Sequence, residues 1–332
     1  MHPLISLPRQ PSNVDWPTEH WARSSLAQVS PVADQLFDLT PAQGVTYGLL
    51  VVKSGELIYE RYDAGANPIY LQYSWSMGKS IVQALVGILV KQGKLDINAV
   101  ADVPEWQNDS RKEITLDQLL RMSSGLKFNE DYVDGAASDV IPMLQFEGRH
   151  DTGAFAANMP LVHEPGSTWS YASGSTNIIC RILKEVVGGG ASGMLRFMND
   201  ELFEPIGMRT ATPKFDTSGT FIGSSFLFAT PQDFARFGLL YLRDGVWDGK
   251  EILPKGWVDY ARTPTYHDNE YAYGAHWWQR PDNLDWFYCG GYDGQRILCV
   301  PDKDVVIVRC GRTTIDEMPY ISEKLYEIVG SI

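Results

Sequence analysis

Cysteine is scarce in this chain: 332 residues hold four, Cys180, Cys289, Cys299 and Cys310. None forms a Cys-x-x-Cys pair, and no His-x-x-x-His spacing accompanies them. That excludes the sequence signatures of a disulfide-stapled scaffold and of a zinc site. The four read as reduced interior residues, the usual fate of free cysteine. The six histidines, at 2, 20, 150, 163, 267 and 276, are scattered, so no metal and no cofactor is expected. Positive charge is also short, with 28 Lys and Arg against 41 Asp and Glu and a formal net charge of −13. Without a basic run, a nucleic acid or an anionic membrane is a poor partner. Long apolar runs are missing as well. Residues 81–90 form the longest, ten residues including Gln83, where about twenty are needed to span a bilayer. Residues 1–9 lack a basic segment followed by an apolar one, so the chain reads as cytoplasmic. Finally, no Gly-x-Ser-x-Gly occurs, which argues against the nucleophile elbow of α/β-hydrolases.

Aromatic and aliphatic residues, by contrast, are plentiful. The chain is 44% hydrophobic and carries 10 Trp, 16 Tyr and 13 Phe, enough to build one large or two medium domains. Within this background Ser76-Met77-Gly78-Lys79 opens the apolar run. On a helix, residues i and i+3 share a face. Ser76, Lys79, Ser80 and Gln83 therefore form one polar stripe on a helix that is otherwise apolar nearly all round and belongs in a core. A lysine buried there loses proton affinity, and a neutral lysine can take the proton of a neighbouring serine and make it a nucleophile. The plain alternative is a helix start at the surface with a solvated lysine. Ser124-Gly125-Leu126-Lys127 repeats the spacing, but Gly125 reads as a helix end.

The remaining pattern places these motifs. Residues 1–44 are proline-rich and irregular, an N-terminal arm. Residues 45–53 and 56–62 alternate as two strands around the Ser54-Gly55 turn. Residues 76–92 are a helix stopped by Gly93, and Thr115-Leu116-Asp117-Gln118 is a capping box. Helices are predicted at 175–187, 193–203 and from Thr230-Pro231 to about 243, strands at 286–289, 295–300 and 305–310, and a last helix at 316–329. Strands at both ends and helices between imply an α/β domain from 45–110 and 225–332, with a helical domain at 111–224 inserted.

Two further clusters complete a motif set. Tyr171-Ala172-Ser173 precedes a predicted helix, where Ser173 could simply cap it. Tyr288-Cys289-Gly290-Gly291 ends a strand, where the glycines could be turn residues. In this order the three elements resemble the serine β-lactamase and penicillin-binding-protein superfamily. The similarity is to its class C-like branch, which includes DD-peptidases, esterases and 6-aminohexanoate-dimer hydrolase. Residues 119–126, Leu-Leu-Arg-Met-Ser-Ser-Gly-Leu, and residues 229–238 are similar to segments of that family, which makes the second Ser-x-x-Lys structural. The resemblance implies an α+β fold, an antiparallel sheet flanked by helices with an all-α domain. It implies a serine hydrolase in which Ser76 attacks a small-molecule ester or amide and Lys79 and Tyr171 move protons. The backbone N–H groups of Ser76 and Gly291 would form the oxyanion hole, with Ser173, Gly290 and Tyr132 binding substrate. The chain departs from the family in two places. Tyr288-Cys289 replaces its Lys/His and Thr/Ser, and Ser173 replaces the asparagine of β-lactamases. Both point to the esterase and aminohexanoate-oligomer branch; a β-lactamase, a DD-peptidase or a non-catalytic ligand-binding relative are the alternatives. Trp277, Trp278, Trp286 and Tyr292 either line a cleft or belong to the core.

Overall fold

The computed structural model describes residues 4–132, 137–282 and 285–332. Residues 1–3, which open the stretch read for a leader, lie outside the described residues. Apolar, β-branched runs build one antiparallel sheet of eight strands. Its order is Glu56–Tyr62, Val45–Lys53, Val305–Arg312, Gln295–Val300, Phe287–Gly291, Trp278–Gln279, Ala272–Tyr273 and Tyr266–His267. The first two strands pair through the tight turn at Ser54 and Gly55, both at positive φ. The C-terminal strand Val305–Arg312 pairs with Val45–Lys53 across the full length of both. The N-terminal and C-terminal parts of the chain thus meet side by side in one sheet.

Strand alternation gives the sheet two buried faces. Leu50, Val52, Ile297, Val306 and Val308 face the buried helices Gly78–Lys91 and Pro231–Leu242. Leu49, Val51, Leu298, Val305 and Ile307 face the C-terminal helix Met318–Gly330 and the short helix Val29–Ala33. The last part of the proline-rich arm therefore closes the second face, with Val29, Ala33 and Leu36 fully buried. All four cysteines are free and buried. Among the described residues no helix is long and apolar enough to cross a membrane.

Helix starts follow the local chemistry. Thr230 accepts a hydrogen bond from Asp233 N ahead of Pro231, and Thr115 and Gln118 form the reciprocal capping box that opens Leu116–Leu120. Ser173–Val187 begins two residues before the predicted start. The helix Gly190–Met198 passes into a π-turn over Asn199–Phe203. A small three-stranded sheet, Gln72–Tyr73, Leu227–Ala229 and Thr212–Pro213, holds the chain just ahead of Ser76.

Candidate active site

Ser76 lies in a 3₁₀ turn, Trp75–Met77, that runs into the helix Gly78–Lys91. Two hydrogen bonds pin this turn from behind: Ser74 N donates to Leu227 O at 2.8 Å, and Leu227 N donates to Ser74 Oγ at 3.2 Å. Trp75 sits at φ +43, a left-handed conformation that is an outlier for a bulky residue and costs about 1–3 kcal/mol. Its ring is held by Tyr73, Phe226 and Tyr292, and the small sheet restrains its backbone. Strain is therefore stored one residue ahead of the candidate nucleophile.

One helical turn on, Lys79 is 1% exposed. Its Nζ lies 2.9 Å from Ser76 Oγ, 2.9 Å from Ser173 Oγ and 3.1 Å from Ser224 O. None of these oxygens is a carboxylate. Removal from water dominates its titration and lowers the lysine to about 8, while the Glu130 charge works in the opposite direction. The ammonium also faces the Tyr171 ring, 4.9 Å from its centroid. The Tyr171 phenol is pushed well above its usual range by removal from water and then by the Glu130 charge, with a Ser76 hydrogen bond opposing. A phenolate at Tyr171 is therefore the less accessible resting base.

Ser173, expected to touch substrate, is fully buried and takes another set of partners. Its hydroxyl lies between Lys79 Nζ and Glu130 Oε1, the latter at 2.6 Å. Gly291 ends the strand Phe287–Gly291 beside the Ser76 turn, and a Cβ there would come within 2.5 Å of Ser74 O. Only glycine allows that approach. Gly290 lies against Arg296 and Trp278. Tyr132 is 41% exposed, packs on Tyr292 with ring centroids 5.2 Å apart, and donates its hydroxyl to Glu130.

The candidate aromatic residues divide. Trp278 packs on Tyr171 and Tyr292 on Trp75, so both flank the site. Trp277 is fully buried against Tyr241 and Phe287, and Trp286 packs on Tyr326 and bonds Asp302. These two are core and far-face residues. The second Ser-x-x-Lys does not form a pair: Ser124 Oγ accepts from Leu126 N, Gly125 sits at φ +77, and Lys127 is exposed.

Three contributors carried no usable sequence signal. Ser224 acts through its carbonyl, which any residue possesses. The carbonyl reaches Lys79 because Gly223 lets the backbone press on the helices; a Cβ there would lie 2.4 Å from Val82 Cγ2. Glu130 lies in an irregular loop with no periodicity to place it. His276, at φ +57, is buried behind the site. Its Nδ1 donates to Leu120 O at 2.7 Å, Nε2 meets Thr176 Oγ1 at 2.9 Å, and its carbonyl accepts from Ser80 Oγ at 2.7 Å. Ser80, one of the polar-stripe residues, is thereby satisfied.

Comparison with known proteins supplies the family and the fold. The family model described as Beta-lactamase matches residues 33–310. A 6-aminohexanoate-dimer hydrolase of Paenarthrobacter ureafaciens is 26% identical, covering 88% of this chain and 85% of that protein. A Bacillus anthracis structure described under the same enzyme name superposes with a TM-score of 0.79 at 22% identity, covering 97% of this chain and 89% of that one. A penicillin-binding-protein homologue from Caulobacter crescentus gives a TM-score of 0.69 at 19% identity over 93% of this chain and 98% of its own. With the family model spanning most of its length and the fold shared, the chain belongs to the β-lactamase family of hydrolases.

Proposed function

We propose that this hydrolase opens a linear ester or amide through an acyl-enzyme on Ser76. The observation that carries the reading is the 2.9 Å pair of Ser76 Oγ and a buried Lys79 whose proton affinity has fallen to about 8. Neutral Lys79 takes the Ser76 proton as Oγ bonds to the substrate carbonyl carbon. The backbone N–H groups of Ser76 and Gly291 hold the resulting oxyanion, an interaction typically contributing about 3–4 kcal/mol per donor. Tyr171 passes the proton to the leaving oxygen or nitrogen as its bond to the acyl carbon breaks. Water then adds to the acyl carbon, the ester bond to Oγ breaks, and a proton returns to Ser76.

Linear substrates are favoured over β-lactams by the strand Phe287–Gly291. Cys289 is 1% exposed, and the Tyr288 ring is covered by Arg296 at 4.3 Å. Tyr288 carries no cationic group and Cys289 no hydroxyl at the positions from which this family holds a β-lactam carboxylate. The 6-aminohexanoate-dimer hydrolase relative supports linear amides of amino acids as the first class to test.

A panel of short-chain esters, linear amides and D-amino-acid peptides, read by intact mass, tests the proposal. The expected result is an acyl adduct on the wild type and none on Ser76→Ala, with Ser124→Ala retaining turnover. Turnover by Ser76→Ala, or a phosphonate label mapped to Ser124, would remove Ser76 from the mechanism. Cephalosporin hydrolysis at about 10⁶ M⁻¹s⁻¹ or more would instead identify a β-lactamase.

A further inference from the structure

Glu130 touches neither Ser76 nor Lys79 through any hydrogen bond of the site, yet its carboxylate takes both donors of Ser173. Ser173 N donates to Oε2 at 2.8 Å and Ser173 Oγ to Oε1 at 2.6 Å; Tyr132 also donates to Oε1. A hydroxyl has one proton, and a carboxylate only accepts. With its proton committed to Glu130, Ser173 Oγ can only accept from Lys79. Ser224 O, a carbonyl, can also only accept. A neutral lysine amine has two N–H bonds and one lone pair. Both N–H bonds are claimed, by Ser173 Oγ and Ser224 O. The remaining direction, the lone pair, is left for Ser76 Oγ at 2.9 Å.

We propose that Glu130 is a positioning residue that acts through the Ser173 hydroxyl, turning the lone pair of neutral Lys79 onto Ser76. Without the carboxylate, Ser173 is free to rotate and donate to Lys79, which would occupy the lone pair and leave Ser76 without a base. The proposal rests on Lys79 being the base. Other groups also face the amine. Cys180, on the helix Ser173–Val187, adds to the Glu130 effect on its titration. The Tyr171 ring faces it at 4.9 Å. Buried His276, on the segment behind, is itself held neutral in part by the lysine charge. The Glu130 charge also adds to the burial that keeps the Tyr171 and Tyr273 phenols protonated.

The test compares pH profiles of kcat/KM for wild type, Glu130→Gln and Glu130→Asp on one ester. Glutamine keeps the shape and one acceptor. With that oxygen facing Ser173 N, its NH₂ group meets Ser173 Oγ and donates, which reverses the hydroxyl. The plateau is expected to fall about 100-fold, within the range for positioned proton transfer. The acid limb is expected to move down by about one pH unit, because a negative charge two hydrogen bonds from Lys79 is gone. Glu130→Asp keeps the charge but withdraws it by one methylene, so the plateau should fall while the limb stays. An unmoved limb in Glu130→Gln would overturn the proposal, whatever the plateau does, since a merely structural role would lower activity without shifting titration. If Glu130→Gln does not fold, Glu130→Asp decides: a plateau lowered through kcat with KM unchanged supports the proposal, and a wild-type plateau, or one lowered through KM, overturns it. A wild type with no limb near the lysine value would refute Lys79 as the base, an outcome distinct from failure of the Glu130 role alone.

Discussion

Lowering pH should switch this enzyme off along the titration of one buried lysine. Lys79 ordinarily titrates near 10.5 and is brought to about 8 by removal from water. The neutral amine is the reactive form, so kcat/KM should rise with pH up to about 8 and level above it. At about pH 6 only about one molecule in 100 carries neutral Lys79, a loss of roughly 2.7 kcal/mol at 1.36 kcal/mol per decade. The same burial is what makes neutral pH usable. At about pH 7 an ordinary lysine would be neutral about 0.03% of the time, against about 9% for Lys79, a gain of roughly 300-fold. The assay is initial rate at low substrate concentration from about pH 5.5 to 10, on an ester whose leaving group does not titrate in that range, with product measured by chromatography. A profile flat from pH 6 to 9 would refute the reasoning. So would a limb above 10, because that would place the base on the Tyr171 phenol, whose own titration is pushed upward.

Three other outcomes are expected. Tyr171→Phe keeps the ring that packs on Trp278 and should lower kcat by about 10²–10⁴-fold with KM little changed; activity within twofold of wild type would reduce Tyr171 to packing. Gly291→Ala places a Cβ 2.5 Å from Ser74 O, forcing the strand end off the Ser76 turn. A kcat loss of about 10²–10³-fold is expected, and full activity would show that the Gly291 N–H is not used. His276 is held neutral by burial, lowered from 6.5 to about 3. Between those values the unfolded chain binds the extra proton, so this stability is complete above about pH 6.5 and is lost as pH falls toward 3. Its upper bound is about 4.8 kcal/mol, 3.5 pH units at 1.36 kcal/mol each. Urea unfolding of wild type and His276→Gln should therefore converge as pH drops from about 7 to 4.5, and a constant gap would show that His276 does not titrate on unfolding.

Local rules determined much of this protein from the sequence alone. The strands Val45–Lys53, Glu56–Tyr62 and Gln295–Val300 fall on the predicted residues, because β-branched and aromatic content and a tight turn are local properties. The helix caps at Thr115 and Thr230 were legible for the same reason. So was the pairing of Ser76 with Lys79, since a helix of known pitch sets i and i+3 side by side. The distinction between the two Ser-x-x-Lys copies was also local, written in Gly125. Tertiary structure decided what crosses the chain. It buried Lys79 under Ser224 O, whose identity leaves no side-chain signature. It sorted Trp278 and Tyr292 to the site and Trp277 and Trp286 elsewhere, because strand alternation says that faces differ and only packing says which is which. And it brought Glu130 to Ser173, 43 residues away, placing the Ser173 oxygen between a carboxylate and a lysine. A hydrogen bond between a loop and a helix start has no period in the sequence; its partners are fixed only when the loop packs against the helix.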